Sequence, residues 1–392
     1  MPVDYLSLTE SIHEMGLQSI QHSASLSEKL ARCQRLLTQN AADVRGLQQK
    51  VEEAVAQDSG TRCAKPGNEA LDTHKAAPNN EKLCILLAAD GSQLTPNPHE
   101  PLLFGLVNVG IFRMPLNAGG MPQEIIESRL IYGDELYSNG SLISEEFIAL
   151  QRDVREREVM AEMVAAERLL GEAVPILTLT DGPLELYHEP RQDEHFKSMF
   201  ARYQAALDEL SLQGAITAGY VDRPRADLVV RLMELLVPRD ALSGRDERPF
   251  AGVTDLNLFE DRLAPGERSA IFELQSSSSS SYTGRKALHF FYLNVGRQQK
   301  PALARVEVPA WVAEDPPALD MLQHVLVEQA HALGSRPYPY PLLRAHEVAV
   351  VRMEDRDQLT WRIEQELLRQ GFDPFEKSNK QFGKESEPRM RI

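Results

Sequence analysis

Two aspartates have a chemical type and a setting that could hold a metal ion. Asp90 follows the apolar run 83–89, and Asp181 follows the apolar run 174–180. A glycine comes directly after each aspartate, which lets the backbone turn sharply where the strand ends. Asp-Gly is also among the commonest turn dipeptides, so either one alone is compatible with an ordinary turn. Because an Asp-Gly pair occurs twice, each time after a pattern typical of a buried strand, we predict a divalent-metal site.

The elements between the two aspartates explain how they could meet. Residues 83–89, 102–114 and 124–132 are predicted strands whose short connections suit an antiparallel meander. Residues 144–170 lack Gly and Pro, carry apolar residues at helical spacing and begin with a serine N-cap. This helix would return the chain so that strand 174–180 runs parallel to an earlier strand. If that is the first strand, the aspartates lie about 5 Å apart in the sheet direction and favour a shared cation.

The predicted helix also offers a third carboxylate. Glu158 and Glu162 are four residues apart and share a helical face, and small apolar neighbours would shelter Glu162. Glu156, by contrast, suits a solvated face. The alternative for Glu162 is a surface acid that makes only pairs along the helix.

Composition limits the class of protein. The chain has 392 residues, 42% of them hydrophobic and 26% charged, which is typical of a globular protein with one large or two ordinary domains. It contains no apolar run long enough for a membrane span, no secretory signal pattern, and three scattered cysteines without metal-site spacing. We therefore expect a cytoplasmic protein. The net charge of −16 argues against a general nucleic-acid coat protein but leaves room for a local basic groove.

The chain is expected to begin with a helical arm over residues 1–56, because residues 18–55 have the pattern of one long helix. Such an arm would self-associate or dock on a partner, or else pack on its own domain. Residues 57–81 have the composition of a mobile linker. The six serines of 276–281 indicate a mobile loop, and residues 374–392 a disordered tail.

The motifs together resemble the NurA-domain nucleases, over roughly residues 80–372. The segments that carry the resemblance are Asp90–Ser92, Leu179–Leu184, Arg305–Trp311 and Tyr340–Glu347. The resemblance implies an α/β fold with a ribonuclease-H-like mixed sheet and flanking helices, preceded by the helical arm. It also implies that residues 82–373 form the nuclease domain.

The same resemblance implies a catalytic metal site made of Asp90, Glu162, Asp181 and His346. Three carboxylates and an imidazole suit Mn²⁺, and Mg²⁺ also takes oxygen ligands. Two ions about 4 Å apart could activate a water and stabilise the leaving oxygen of a phosphodiester, with Asp90 bridging them. His346 could instead transfer a proton near the leaving group.

Several cations are candidates for nucleic-acid contact. Arg223 stands near the place where many family members carry a lysine, and Arg285, Lys286 and Arg305 could line a groove for phosphates. Scattered, solvated charges are the alternative for these residues.

The function implied is a metal-dependent DNA nuclease with 5′-to-3′ exonuclease and single-strand endonuclease activity, acting in DNA end resection and repair. The resemblance also implies a homodimer that works with a HerA-type hexameric ATPase. Two alternatives stay open: a non-catalytic DNA-binding or scaffolding subunit of a translocase complex, and a nuclease that acts on RNA.

Overall fold

The computed structural model describes residues 4–5, 7–78, 83–100, 102–117, 119–138, 140–171, 174–186, 194–238, 248–297, 300–334 and 336–371. The predicted disordered tail at 374–392 lies outside these residues. The described residues form two compact units. The first lies within Met1–Asn80, Gly182–Glu185 and Thr217–Pro339, and the second within Glu81–Asp181, Leu186–Ile216 and Tyr340–Ile392.

The helices and strands are numbered in chain order. The helices are α1 (Thr9–Asn40), α2 (Val44–Gln57), α3 (Glu145–Leu169), α4 (Glu194–Leu212), α5 (Leu228–Glu234), α6 (Asp255–Phe259), α7 (Ala310–Ala313), α8 (Pro316–His331), α9 (Tyr340–Ala349) and α10 (Met353–Arg369). The strands are β1 (Cys63–Pro66), β2 (His74–Ala76), β3 (Cys84–Leu94), β4 (Gly105–Leu116), β5 (Gln123–Ile131), β6 (Tyr137–Ser138), β7 (Ser141–Leu142), β8 (Ile176–Asp181), β9 (Ile216–Asp222), β10 (Glu267–Ser269), β11 (Phe272–Gln275), β12 (Leu288–Asn294) and β13 (Leu303–Pro309).

The second unit contains a mixed sheet in the order β8-β3-β4-β5. Strands β3, β4 and β5 form an antiparallel meander, and β8 pairs with β3 in parallel. Helix α3 makes the crossover between β5 and β8, and its N-cap Ser144 accepts a hydrogen bond from the Phe147 N–H. The predicted strand order and helix start are confirmed. The fold class is α/β, with a mixed sheet and flanking helices.

The first unit contains an antiparallel sheet in the order β1-β11-β12-β13-β9, with β10 pairing both β12 and β2. Its interior is aromatic: the rings of Phe272 and Phe290 stack with centroids 5.5 Å apart, and both side chains are buried. Rings that fill a strand core in this way supply a large share of the buried apolar area.

The N-terminal helix prediction is wrong in one respect, because residues 18–55 form two helices instead of one. The chain breaks at residues 41–43, and the side chain of Asp43 caps α2 by accepting from the Gly46 N–H. Cys33 and Leu37 of α1 are buried, as are Leu47 and Val51 of α2. Within the first unit α1 contacts α5 and α6, and α2 contacts β1. From Cys33 onward, these helices therefore pack on their own unit.

Two segments expected to be mobile are structured. The expected linker at 57–81 contains β1 and β2, both paired in the sheet of the first unit. The serine run is held by the buried Glu185, which accepts hydrogen bonds from Ser276 (2.7 Å) and Ser278. Glu185 also pairs with Arg62 through two bonds of 3.1 and 2.6 Å. A buried carboxylate needs such partners, and the serines supply them.

Candidate active site

The strand register brings Asp90 and Asp181 to corresponding positions. Ala89 of β3 lies opposite Thr180 of β8, so the two aspartates follow as the next residues of adjacent parallel strands. Neighbouring strands are about 4.8 Å apart. The prediction that the fourth strand runs parallel to the first is therefore confirmed. Asp90 does not end its strand, however, because β3 continues to Leu94 in pairing with β4.

Asp90 marks the place where β3 stops being buried. Cys84–Ala89 are buried, whereas Asp90–Leu94 are intermediate in exposure. The pairing with β8 ends at Ala89, and the pairing with β4 goes on. The Asp90 side chain, 17% exposed, thus sits where the apolar core gives way to solvent.

His346 of α9 contacts this carboxylate directly. Its Nδ1 lies 2.7 Å from Asp90 Oδ2, and its side chain is 58% exposed. An ionised carboxylate only accepts hydrogen bonds, so Nδ1 carries the donated proton. The ring nitrogen that could ligate a cation or transfer a proton is therefore Nε2. The structure thus brings two of the predicted site residues, His346 and Asp90, into direct contact.

Close packing and two hydrogen bonds to one carbonyl oxygen position α9. Ser92 Oγ and Asn108 Nδ2 both donate to the Ala349 carbonyl, at 2.5 and 2.7 Å, and Ser128 donates to Asn108 Oδ1 at 2.5 Å. Gly110, the β4 partner of Asp90, permits this approach. A Cβ on Gly110 would lie 2.5 Å from the Ala349 nitrogen and 2.6 Å from the Ala345 oxygen.

Gly110→Ala should therefore push α9 off the sheet and destabilise the protein by about 1–3 kcal/mol, because the atoms it meets are backbone and cannot rotate away. Thermal unfolding measures this effect. Gly119→Ala is the matched control, since a Cβ there has no heavy atom within 4 Å. Equal melting temperatures for both variants would contradict the close approach of α9.

Helix α3 places Glu156, rather than the predicted Glu162, near Asp90. Glu156 is buried, and its pKa is raised well above the usual value by burial, then by the charges of Asp153 and Asp90, against the opposing charge of Arg152. Burial and Asp90 also raise the pKa of Asp153. A Cβ on Gly91 would lie 2.5 Å from Glu156 Oε1, so this carboxylate rests on the β3 backbone beside Asp90.

Glu162 lies in a different ion-pair group. Its carboxylate accepts from Arg155 at 2.7 and 3.0 Å, and its side chain is 60% exposed. Arg155 also donates to Glu127 of β5. Glu162 lies six positions after Glu156, which rotates its side chain about 120° away from that of Glu156 around the helix. The described contacts of Glu162 therefore do not bring it to Asp90.

The sequence contained a signal for Glu156 that the solvated-face interpretation missed. Ile148, Glu156, Met160 and Val164 are all buried and follow one another at steps of four or eight residues. A stripe at this spacing faces the core, so an acid within it is sheltered by its position on the helix.

Arg157 completes the surroundings of the site. It is 3% exposed, its Nη2 donates to Thr180 Oγ1 at 2.9 Å, and its guanidinium lies over the Tyr203 ring at 5.6 Å. It thus ties α3 to the β8 residue that precedes Asp181. Its positive charge also opposes the pKa rise that burial causes at Asp153 and Glu156.

The candidate nucleic-acid cations all lie in the first unit. Arg223 and Arg285 are exposed and Lys286 is half-buried. Arg305 is buried, and its Nη2 pairs with Glu307 Oε1 at 2.8 Å. Glu307 in turn accepts from the Leu184 N–H at 2.8 Å. Arg305 is therefore part of a buried network, which leaves Arg223, Arg285 and Lys286 as the accessible candidates.

Two features are absent from the part of the chain that the structure describes. Within the described ranges, no three His, Cys, Asp or Glu side chains are arranged closely enough to hold a metal ion. Among the helices that the structure describes, none has the length and apolar content of a membrane span.

Comparison with known proteins identifies a family. A model of the NurA domain matches residues 84–351. The fold is similar to the crystal structure of the NurA nuclease from Sulfolobus solfataricus, at 13% identity and a TM-score of 0.46, covering 85% of this chain and 94% of that one. It is also similar to the crystal structure of NurA bound to dAMP and manganese, at 11% identity and a TM-score of 0.39, covering 86% of this chain and 96% of that one. A third similar structure is the catalytic domain of human endonuclease V, at 14% identity and a TM-score of 0.32, covering 81% of this chain and 98% of that one. No curated protein matches the sequence.

Proposed function

The chain belongs to the NurA-domain family, and from that premise we propose that it is a metal-dependent nuclease that hydrolyses phosphodiester bonds in DNA. The observation that supports this most is the arrangement around Asp90. Its strand register matches that of Asp181, and His346 is hydrogen-bonded to it. Carboxylates on adjacent strand positions, with an imidazole beside them, are suited to hydrolysis assisted by a divalent cation.

The cofactor we propose is Mn²⁺ or Mg²⁺. The donors near Asp90 are carboxylates and one imidazole, which are ligand types that these ions accept. Burial raises the pKa of Glu156, and the charges of Asp153 and Asp90 raise it further, so this carboxyl lies within reach of the negative charge of Asp90. We propose Asp90, Asp181, Glu156 and His346 as the residues that would hold it. Glu156 replaces Glu162 in this proposal because of their positions on α3.

These residues have distinct roles in the proposed reaction. When bound, the cation would offset the charge of the phosphodiester and lower the pKa of a water. Asp90 and Asp181 fix the ligand positions through their strands. The Asp90 carboxylate orients the imidazole of His346, so that Nε2 is directed to ligate or to pass a proton to the leaving oxygen. Arg157 holds Thr180, and with it the end of β8.

The proposed substrate is DNA, with 5′-to-3′ exonuclease and single-strand endonuclease activity in end resection and repair. Arg223, Arg285 and Lys286 are the cations that we propose contact its phosphates, and Arg305 is left out because it is buried. We also propose that residues 82–373 carry the nuclease function in the cytoplasm. A homodimer and a HerA-type hexameric ATPase are the proposed assembly, which light scattering with and without the ATPase would test.

The experiment that tests the function uses the purified full chain and end-labelled single-stranded DNA, duplex DNA and RNA. We expect cleavage of DNA in Mn²⁺ or Mg²⁺ and none in EDTA, and labels at either end give the polarity. Preferential cleavage of RNA would favour the ribonuclease alternative. DNA binding without cleavage under any metal condition would contradict the proposal and favour a non-catalytic subunit.

A further inference from the structure

One arginine already occupies a position among the acids of the candidate site. Arg152 Nη2 lies 2.6 Å from Asp153 Oδ1, and its Nε lies 3.4 Å from Glu156 Oε1. Its Nη1 donates to Gln93 Oε1 on β3 at 2.8 Å. The stem of the side chain crosses the β3 backbone, since a Cβ on Gly91 would lie 2.5 Å from Arg152 Cγ. The guanidinium is therefore held over the strand that carries Asp90.

The charge of this guanidinium acts on three carboxylates. Burial alone would lower the pKa of Arg152, but the charges of Asp153, Glu156 and Asp90 raise it above its usual value. The same arginine opposes the pKa rise of both Asp153 and Glu156. Arg152 thus supplies, together with Arg157, positive charge that offsets these acids.

The contact between Arg152 and Glu156 is looser than a buried bidentate ion pair in the same unit. Arg113 and Glu167 in the same unit form a bidentate pair at 2.6 and 2.9 Å, and both side chains are largely shielded from solvent. Arg152 donates twice to Asp153 Oδ1, at 3.1 and 2.6 Å, but it touches Glu156 at a single distance of 3.4 Å, and 29% of its side chain is exposed. A guanidinium held in this way has a path to solvent and loses few bonds to Glu156 when it moves.

We propose that Arg152 is a resident counter-cation of this carboxylate group, and that a divalent cation binds the site in competition with its guanidinium. The inference rests on the proposed function, since it concerns the same site. Two positive groups cannot share the same carboxylate oxygens, and an added charge of +2 repels a guanidinium a few ångströms away.

The competition has a direct consequence for metal affinity. Without the Arg152 guanidinium, Asp153 and Glu156 lose one of the positive charges that offset them before metal binds. The metal-free state is then less favourable, and metal binding becomes tighter. Arg152→Met should therefore bind Mn²⁺ about five- to tenfold more tightly than the wild type. Arg152→Lys, which keeps the charge, should stay within about twofold of the wild type.

The test is isothermal titration of the metal-free full chain with MnCl₂ alone, without nucleic acid. Thermal unfolding with and without MnCl₂ gives a second readout, in which Arg152→Met should show the larger Mn²⁺-induced rise in melting temperature. Arg155→Met is the matched control. Arg155 is three residues along the same helix and pairs with Glu127, Glu158 and Glu162, so its removal should leave the Mn²⁺ affinity unchanged.

Tighter binding in Arg152→Met, with Arg155→Met unchanged, supports the inference. Unchanged or weaker binding in Arg152→Met, or an equal gain in both variants, overturns it. The outcome is separable from that of the nuclease assay. A wild type that binds Mn²⁺ and cleaves DNA while Arg152→Met binds no better sinks the counter-cation inference alone. Metal binding that responds as expected without any cleavage sinks the proposed nuclease function alone.

Discussion

Asp90→Asn is expected to lower metal-dependent cleavage of single-stranded DNA about a thousandfold. Asp90 is the residue around which the others are arranged: the β3–β8 register aligns it with Asp181, and His346 donates to it. Asparagine has nearly the same shape but no negative charge. The loss of a charged ligand removes roughly 4 kcal/mol of charge stabilisation from a reaction that depends on a metal.

The fold should survive this change. The carboxylate of Asp90 raises the pKa of both buried neighbours, Asp153 and Glu156, which means that it repels them. Removing its charge should leave the melting temperature of the metal-free protein equal to that of the wild type or slightly higher. An activity loss without a stability loss is typical of a residue that serves function at the expense of stability.

The measurement is the initial rate of cleavage in Mn²⁺, together with thermal unfolding in EDTA. Asp134→Asn is the control, since Asp134 is exposed in the short helical turn Gly133–Leu136 of the same unit. It should keep the wild-type rate. Asp90→Asn protein with wild-type activity would show that the chemistry lies elsewhere in the chain.

The sequence was sufficient to predict the sheet that carries this site. Short connections between strands permit few topologies, and a long helix before an apolar strand points to a parallel crossover. Burial on both faces makes strands such as Cys84–Ala89 and Ile176–Thr180 recognisable as apolar runs. The sequence left open which earlier strand pairs with 174–180, and the structure shows that it is the strand that carries Asp90.

The sequence did not predict the order of segments whose polar groups form hydrogen bonds with residues distant in the chain. The serine run is ordered because Ser276 and Ser278 bond to Glu185, which lies 91 and 93 positions away. The strands β1 and β2 are only four and three residues long, and they pair with the edges that β11 and β10 offer. Local composition describes such segments as loops, since the partners that order them are distant in sequence.

The site itself illustrates the same limit on one helix. Glu156 lies between two arginines in the sequence, whereas Glu162 lies between Ala161 and Met163, so local composition favours Glu162 as the sheltered acid. Which of them faces the sheet depends on the rotation of α3, which is set by the buried stripe through Ile148, Met160 and Val164. The sequence therefore predicted the contact between Asp90 and His346, whereas the acid of α3 that lies near Asp90 is Glu156 and not the predicted Glu162.

The second large effect is an expected difference in cleavage rate between two variants of one helix, Glu156→Gln and Glu162→Gln. We expect Glu156→Gln to lower the metal-dependent cleavage rate by about a hundredfold or more, because it removes a charge that acts on Asp90. Glu162→Gln should stay within about twofold, because it removes one partner of an exposed ion pair with Arg155. Both substitutions change the net charge by the same amount and keep the shape of the side chain.

Thermal unfolding and metal titration show whether a loss of cleavage comes from a less stable fold or from weaker metal binding. Glutamine removes a buried charge that burial already disfavours, so Glu156→Gln should melt no lower than the wild type in EDTA. Titration with MnCl₂ should nevertheless show weaker binding for Glu156→Gln and unchanged binding for Glu162→Gln. The reverse result, with the larger loss at Glu162, would mean that α3 turns in the active state. The exposed ion pair with Arg155 would then be a resting arrangement, and the helical carboxylate suggested by family resemblance would be the working one.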